Sequence, residues 1–234
     1  SSARPDVGVD AGDPMVVCFH KEKLSCGAMA REACCSLLRR GRDDVSDGLE
    51  NARLSRVERE DCPPEYLEAY DEVIRSRGRT SMPNVFALLA NSPGALATVT
   101  PVGAHVRYGT KFDDALREYV ILTVAQELRC SYEWGHHWEF ALKVGVPEEM
   151  LRRVGTPDME AEPGLVGIAT RYARLVTRNE EVDDETAETL KAELGNDGFV
   201  DLTIMIGYYG MLARFINTMR LQLEEGSIAP PFNV

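Results

Sequence analysis

The stretch Arg129-Cys130-Ser131-Tyr132-Glu133-Trp134-Gly135-His136-His137 places a thiol, a carboxylate and two imidazoles within a short span of chain. Residues 116–128, directly before it, are rich in apolar side chains and predict a buried helix that leads into this stretch. Side chains three, four and seven positions apart share one face of a helix. We therefore expect Cys130, Glu133 and His137 to form one stripe, with His136 beside it. A nucleophile and two acid/base groups on one stripe favour an enzyme.

The rest of the chain predicts an all-α fold. From Pro63 onward the polar and apolar residues follow a helical pattern, and no alternating β-pattern of any length is present. We assign residues 1–58 to an N-terminal extension, partly disordered or loosely packed, and residues 59–234 to a helical domain. The helices are predicted at residues 65–77, 84–89, 93–108, 115–128, 130–144, 165–178, 184–194 and 197–223, with a short one beginning at Pro147.

Composition limits the partners and the location of the protein. The formal net charge of −12 argues against a nucleic-acid partner, because binding phosphates needs clustered Lys and Arg. The longest apolar run, residues 202–213, is shorter than the roughly 20 residues of a membrane span, so no membrane association is expected. The six cysteines show no zinc or disulfide-scaffold spacing and are interpreted as reduced thiols of an intracellular, cytoplasmic protein. The amphipathic basic stretch Met29–Arg40 leaves organelle targeting open as an alternative.

Two predicted helices, residues 116–128 and 202–223, carry apolar side chains nearly all round. Helices of this kind are buried on all sides, and a chain of 234 residues has few elements to cover both. We therefore expect the protein to form a homo-oligomer.

Several of these residues together resemble the carboxymuconolactone decarboxylase superfamily, whose other well-known branch is the alkylhydroperoxidase D type. The resemblance is carried by Arg117-Glu118, by Cys130-x-Tyr132-Glu133-x-x-x-His137 and by the following Ala141 and Gly145. It extends over roughly residues 63–223. The resemblance implies an all-helical fold, assembly as trimers or hexamers, and an active site between helices near a subunit contact.

One position departs from the peroxidase branch of that superfamily. That branch carries a Cys-x-x-Cys pair, a downstream His and a Glu on the preceding helix; Cys130, His137 and Glu118 fall at matching positions. Glu133 stands where the second cysteine would be, so the neighbouring thiol that would resolve a sulfenic acid is missing. This departure favours the decarboxylase branch over a thiol peroxidase.

We therefore predict a cofactor-free enzyme that works by acid/base catalysis on a small, anionic lactone or keto acid. Glu133 and His137 are expected to be the general base and acid, Glu118 to orient or relay a proton to His137, and Cys130 to be an auxiliary polar group or second acid. The other expected substrate contacts are Tyr132, His136, His105 and, for a substrate carboxylate, Arg117 or Arg214.

Two other classes of function stay open at this point. One is an alkyl hydroperoxide peroxidase centred on Cys130, and the other is a non-catalytic helical protein that binds a small molecule. A di-metal site is not expected: Glu133-x-x-His136 has the required spacing, but the chain contains no second Glu-x-x-His.

Overall fold

The computed structural model describes residues 47–232, and every regular element in this range is helical. The all-α prediction is confirmed. Six of the nine α-helices in residues 47–232 have ten or more residues. The helices are α1 (Leu67–Ser76), α2 (Asn84–Leu89), α3 (Pro93–Ala104), α4 (Asp114–Glu127), α5 (Ser131–Lys143), α6 (Glu148–Leu151), α7 (Pro157–Glu160), α8 (Leu165–Arg178) and α9 (Asp184–Met219).

Helix α4 lies at the centre of the fold, and ten of its residues are buried. The side chain of Asp113 begins it by accepting a hydrogen bond from the backbone N–H of Leu116 at 2.6 Å. At the other end Arg129 adopts a left-handed conformation (φ +49°), and the Cys130 N–H donates to the carbonyl of Ala125 at 2.8 Å. The chain reverses direction in this short connection, so α4 and α5 pack as an antiparallel pair.

Helix α9 is bent at Gly195, whose φ of +73° is not helical. This break separates the two helices that the sequence predicts at residues 184–194 and 197–223. The later half packs on α4 and α8. By length and composition α9 could cross a membrane, but half of its apolar window is buried against the other helices, as in the core helix of a folded domain.

Helix α3 is shorter than predicted, because the chain passes at His105–Gly109 into a turn of π-helix. A π-turn contains more residues than an α-turn and shifts the side chains that follow onto a different face. Arg107, within this turn, is thereby placed against α4 and α9.

The chain segments on either side of the helices pack on the helical body. The Val57 N–H donates to the carbonyl of Ala87 at 3.1 Å and the Arg53 N–H to that of Met219 at 2.8 Å, so residues 47–58 are part of this body although the sequence places them in the extension. At the C-terminal end, Leu223 lies against Gly135, and the ring of Phe232 packs edge-on against Trp134. The expectations for residues 1–46, including targeting by residues 29–40, fall outside the described residues.

Candidate active site

The antiparallel pairing of α4 and α5 brings together two residues that are 19 positions apart in the sequence. Glu118 on α4 and His137 on α5 are both almost completely buried. Their side chains meet with Glu118 Oε2 and His137 Nδ1 2.5 Å apart. Because a carboxylate can only accept, Nδ1 carries the hydrogen and donates it to Glu118. This contact fixes the ring so that Nε2 points away from α4.

On the other side of the ring lies Glu133, one helical turn before His137 on α5. Its Oε2 is 3.4 Å from His137 Nε2, and its side chain is also buried. The imidazole is therefore held between two carboxylates, one on each ring nitrogen. The structure thus brings together three of the four predicted catalytic residues.

The electrostatics of this cluster favour a protonated imidazole. Burial alone would lower the pKa of His137, but the nearby charge of Glu118, followed by that of Glu133, outweighs burial and raises this pKa above its ordinary value. A histidine tuned in this way can act as a general acid near neutral pH.

Arg107 and Tyr209 complete the surroundings of Glu118. Arg107 Nη2 lies 3.9 Å from Glu118 Oε1, and its Nη1 donates to the Tyr209 hydroxyl at 3.2 Å. The Tyr209 ring stands edge-on to the His137 ring, with 5.1 Å between the centroids. Arg107 therefore places a positive charge beside the Glu118 carboxylate that contacts His137.

The cluster forms one side of a cavity of about 280 Å³. This volume is at the lower end of the range for ligand sites and fits a small molecule. Its walls combine four arginines with aromatic side chains. The lining includes Arg56, Arg77, Arg79, Phe86, Arg107, Tyr108, Tyr132, Glu133, His136, His137, Phe140, Tyr208, Tyr209 and Glu224.

Cys130, the fourth predicted catalytic residue, lies outside this cavity. It is the residue before the first turn of α5, it has no exposed surface, and it is absent from the described residues that line the cavity. Burial, and next the charge of Glu133, raise the pKa of its thiol far above the ordinary value. A thiol in this position is poorly suited to forming a thiolate nucleophile.

The predicted substrate-binding residues divide into two groups. Tyr132 and His136 line the cavity, and His136 Nε2 lies 3.0 Å from Glu224 Oε2 in the C-terminal segment. His105, Arg117 and Arg214 have their contacts elsewhere. His105 pairs with Asp201 at 2.8 Å, Arg117 pairs with Asp114, and Arg214 Nη1 donates to the carbonyl of Gly210 at 2.8 Å.

The position of Arg117 has a simple helical reason. Neighbouring residues on a helix point about 100° apart, so Arg117 cannot share the face of Glu118. The arginines at the cavity are instead Arg77 and Arg107 on its inner walls, with Arg56 and Arg79. Sequence reasoning missed these four residues as well as Tyr208 and Tyr209, although two adjacent tyrosines inside an apolar helix are a signal that could have been used. In residues 47–232, no group of three His, Cys, Asp or Glu side chains is arranged to hold a metal ion.

Comparison with known proteins supports the resemblance seen in the sequence. Residues 93–161, from α3 to just past α7, match the profile of the Carboxymuconolactone decarboxylase family. This match includes Arg107, Glu118, Cys130, Glu133 and His137. No curated protein matches the sequence.

Solved structures share the fold. The core of an uncharacterized alkylhydroperoxidase AhpD-related protein from Ralstonia eutropha JMP134 superimposes with a TM-score of 0.62 at 18% identity, covering 75% of this chain and 93% of that one. The debrominase Bmp8 without ligand superimposes with a TM-score of 0.59 at 15% sequence identity, covering 75% of this chain and 94% of Bmp8. A Bmp8 variant with a cysteine replaced by alanine, in complex with 2,3,4-tribromopyrrole, gives a TM-score of 0.59 at 14% sequence identity, with the same coverage of both chains. At these identities the similarity shows the fold alone.

Proposed function

Because residues 93–161 match the Carboxymuconolactone decarboxylase family, we propose that the chain is a cofactor-free acid/base enzyme of that type, acting on a small, anionic lactone or keto acid. The observation that carries this proposal is the imidazole of His137 between Glu118 and Glu133 at the wall of the cavity. An imidazole hydrogen-bonded to one carboxylate and 3.4 Å from a second is suited to moving protons.

The geometry gives each group a separate role. When a lactone acid or keto acid loses CO₂, the electron pair of the broken bond becomes an enolate, and the enolate carbon then takes up one proton. His137, protonated because of its two carboxylate neighbours, is the general acid that supplies this proton. Glu133, on the cavity wall and in contact with Nε2, is the base that takes a proton from solvent and returns it to Nε2, so that His137 is restored as an acid after each turnover. Glu118 and Arg107 hold the ring from the side of α4.

The test is product formation from a panel of unsaturated lactone acids and β-keto acids. We expect Glu133→Gln to reduce kcat/KM by about 10²–10⁴-fold, the usual contribution of a general acid or base. The matched control is Glu139→Gln on the same helix, which removes a half-exposed carboxylate 3.9 Å from Lys143 and should retain activity within about twofold. Equal activity of the two variants would refute the role of Glu133.

The rival function is an alkyl hydroperoxide peroxidase centred on Cys130. The AhpD-related neighbour is the observation in its favour, and the burial of Cys130 argues against it. Consumption of an organic hydroperoxide with a dithiol reductant distinguishes the two, because loss of turnover in Cys130→Ser would replace our proposal with the peroxidase. A non-catalytic binding protein would instead show a rise in melting temperature with a small acid and no product.

We further propose that the protein is a homo-oligomer, trimeric or hexameric, and that α9 contributes to the contact. Val200, Ile204 and Met211 are 58%, 46% and 41% exposed, and with Gly207 they follow one another four, three and four positions apart. This spacing places them on one face of the helix, where they form an exposed apolar stripe.

A further inference from the structure

Arg77 is the feature of the cavity that the acid/base proposal leaves without a role. It follows the last turn of α1, outside the segment that matches the decarboxylase family, and its side chain lines the cavity. The guanidinium lies over the ring of Phe86, 4.2 Å from the centroid. Its nitrogen Nη1 donates to the carbonyl of Val73 at 3.4 Å and to Ser76 Oγ at 3.2 Å, both long contacts to neutral groups.

Arg77 differs from the other partly buried arginines of residues 47–232. Five others are also shielded from solvent, and each has a carboxylate within 4 Å. These pairs are Arg56–Glu58, Arg107–Glu118, Arg117–Asp114, Arg153–Glu162 and Arg174–Glu160. Arg77 has no such partner in the described part of the chain. Burial lowers its pKa, but an arginine keeps its charge, and a shielded charge is normally balanced by an opposite one.

The groups closest to Arg77 on the cavity wall favour binding of an anion. Tyr208, on the neighbouring wall, has a buried hydroxyl without a hydrogen-bond partner at standard distance among the described residues. Burial raises the pKa of Tyr208 to about 12 although Arg77 and Arg107 both oppose this shift, so the phenol stays protonated at neutral pH. The cavity wall at this end therefore presents donors and positive charge.

We propose that the guanidinium of Arg77 binds the anionic group of the substrate, a carboxylate attached to a flat unsaturated ring, and so orients the ring toward Glu133 and His137. A planar carboxylate matches the fork of N–H groups on arginine. The nitrogens Nε and Nη2 make no hydrogen bond of standard length to the described residues, and the Tyr208 hydroxyl interacts with the guanidinium only at longer range, so a carboxylate can take up this contact. Aromatic side chains such as Phe86 and Phe140 line the same cavity and suit a flat ring.

The orientation of the ring rests on the proposed function, but the binding of the carboxylate does not. The probe is 2-furoate, an unsaturated five-membered ring with one carboxylate, compared with its neutral amide, 2-furamide. Isothermal titration calorimetry on the full chain should show that the wild type binds furoate at least tenfold more tightly than furamide. Arg77→Gln should weaken furoate binding at least tenfold and leave furamide within twofold.

The matched control is Arg75→Gln, which removes an equal charge two positions away from an exposed side chain paired with Glu68 and Glu72. It should change furoate binding by less than twofold. If Arg77→Gln does not fold, Arg77→Lys keeps the charge but not the fork and should still weaken furoate binding several-fold. The proposal is overturned if the wild type binds acid and amide equally or not at all, or if furoate binding survives in Arg77→Gln or is unchanged in Arg77→Lys. Because no turnover is needed, these results are independent of whether Glu133→Gln abolishes product formation.

Discussion

Replacing Glu118 by Gln removes one of the two carboxylates that hold His137 and should lower the pKa of that histidine. The 2.5 Å contact between Oε2 and Nδ1 places the two charges about 4 Å apart, and at an effective dielectric constant of about 20 their attraction is worth about 4 kcal/mol. Loss of this attraction disfavours the protonated imidazole, so the pKa of His137 falls. Hydrogen bonding by the Gln amide and the remaining charge of Glu133 make this fall in the pKa of His137 smaller.

The assay is an NMR titration of protein labelled with ¹⁵N-histidine. The chain has four histidines, and His137→Asn identifies the resonance of His137 by its loss. Asp201→Asn is the control, because it removes a carboxylate beside the exposed His105 and should leave the pKa of His137 unchanged. A His137 pKa that moves by less than about half a unit in Glu118→Gln would refute the electrostatic reasoning.

The same contact predicts how stability depends on pH. The pKa of His137 is raised in the folded state, so its ion pair stabilises the protein fully below the unfolded pKa of about 6.5. This stabilisation is lost as the pH rises through the raised folded value. We expect Glu118→Gln to lower the free energy of unfolding by about 3 kcal/mol near pH 6 and by less at higher pH, measured by urea denaturation.

Three further outcomes follow from other contacts. Cys130 in the folded protein should react with iodoacetamide at pH 7 at least about 100-fold more slowly than in denaturant, as read by peptide mass spectrometry; rapid native labelling would show an accessible thiol. Gly103→Ala should lower the free energy of unfolding by about 1–2 kcal/mol in urea denaturation, because the added Cβ would lie 2.1 Å from the Tyr208 hydroxyl. Alanine favours helices more than glycine does, so a stabilised variant would contradict this packing. Ile204→Glu should shift the protein to a smaller species in analytical ultracentrifugation, whereas an unchanged mass would remove the α9 stripe from the subunit contact.

The helices could be read from the sequence because local rules decide most of them. Asp113 and Asp183 each accept a backbone hydrogen bond at the start of a long helix, and Gly145 and Gly195 adopt positive φ where the sequence predicts an end. The helix at residues 165–178 has the same bounds in the prediction and in the structure. The π-turn at His105–Gly109 was not predicted, because only packing against α4 and α9 decides where a helix changes its winding.

In the candidate site too, local sequence patterns predict some residues, and tertiary packing alone places the others. The spacing of four on one helix pairs Glu133 with His137, and the resemblance to the family supplies Glu118. Arg77 reaches the cavity from 60 positions before His137, through tertiary packing that no local pattern records. Cys130 shows the opposite limit, since helical spacing placed it on the stripe with Glu133 while the tight reversal at Arg129 buries its thiol outside the cavity.

The central claim is that the imidazole and its carboxylates, and not the thiol, carry the reaction. The most direct test compares kcat/KM of His137→Asn and Cys130→Ser on one substrate found in the lactone and keto acid panel. We predict a loss of at least about 10²-fold for His137→Asn and a change of less than about threefold for Cys130→Ser. The reverse order, with Cys130→Ser inactive and His137→Asn near the wild-type rate, would contradict the account.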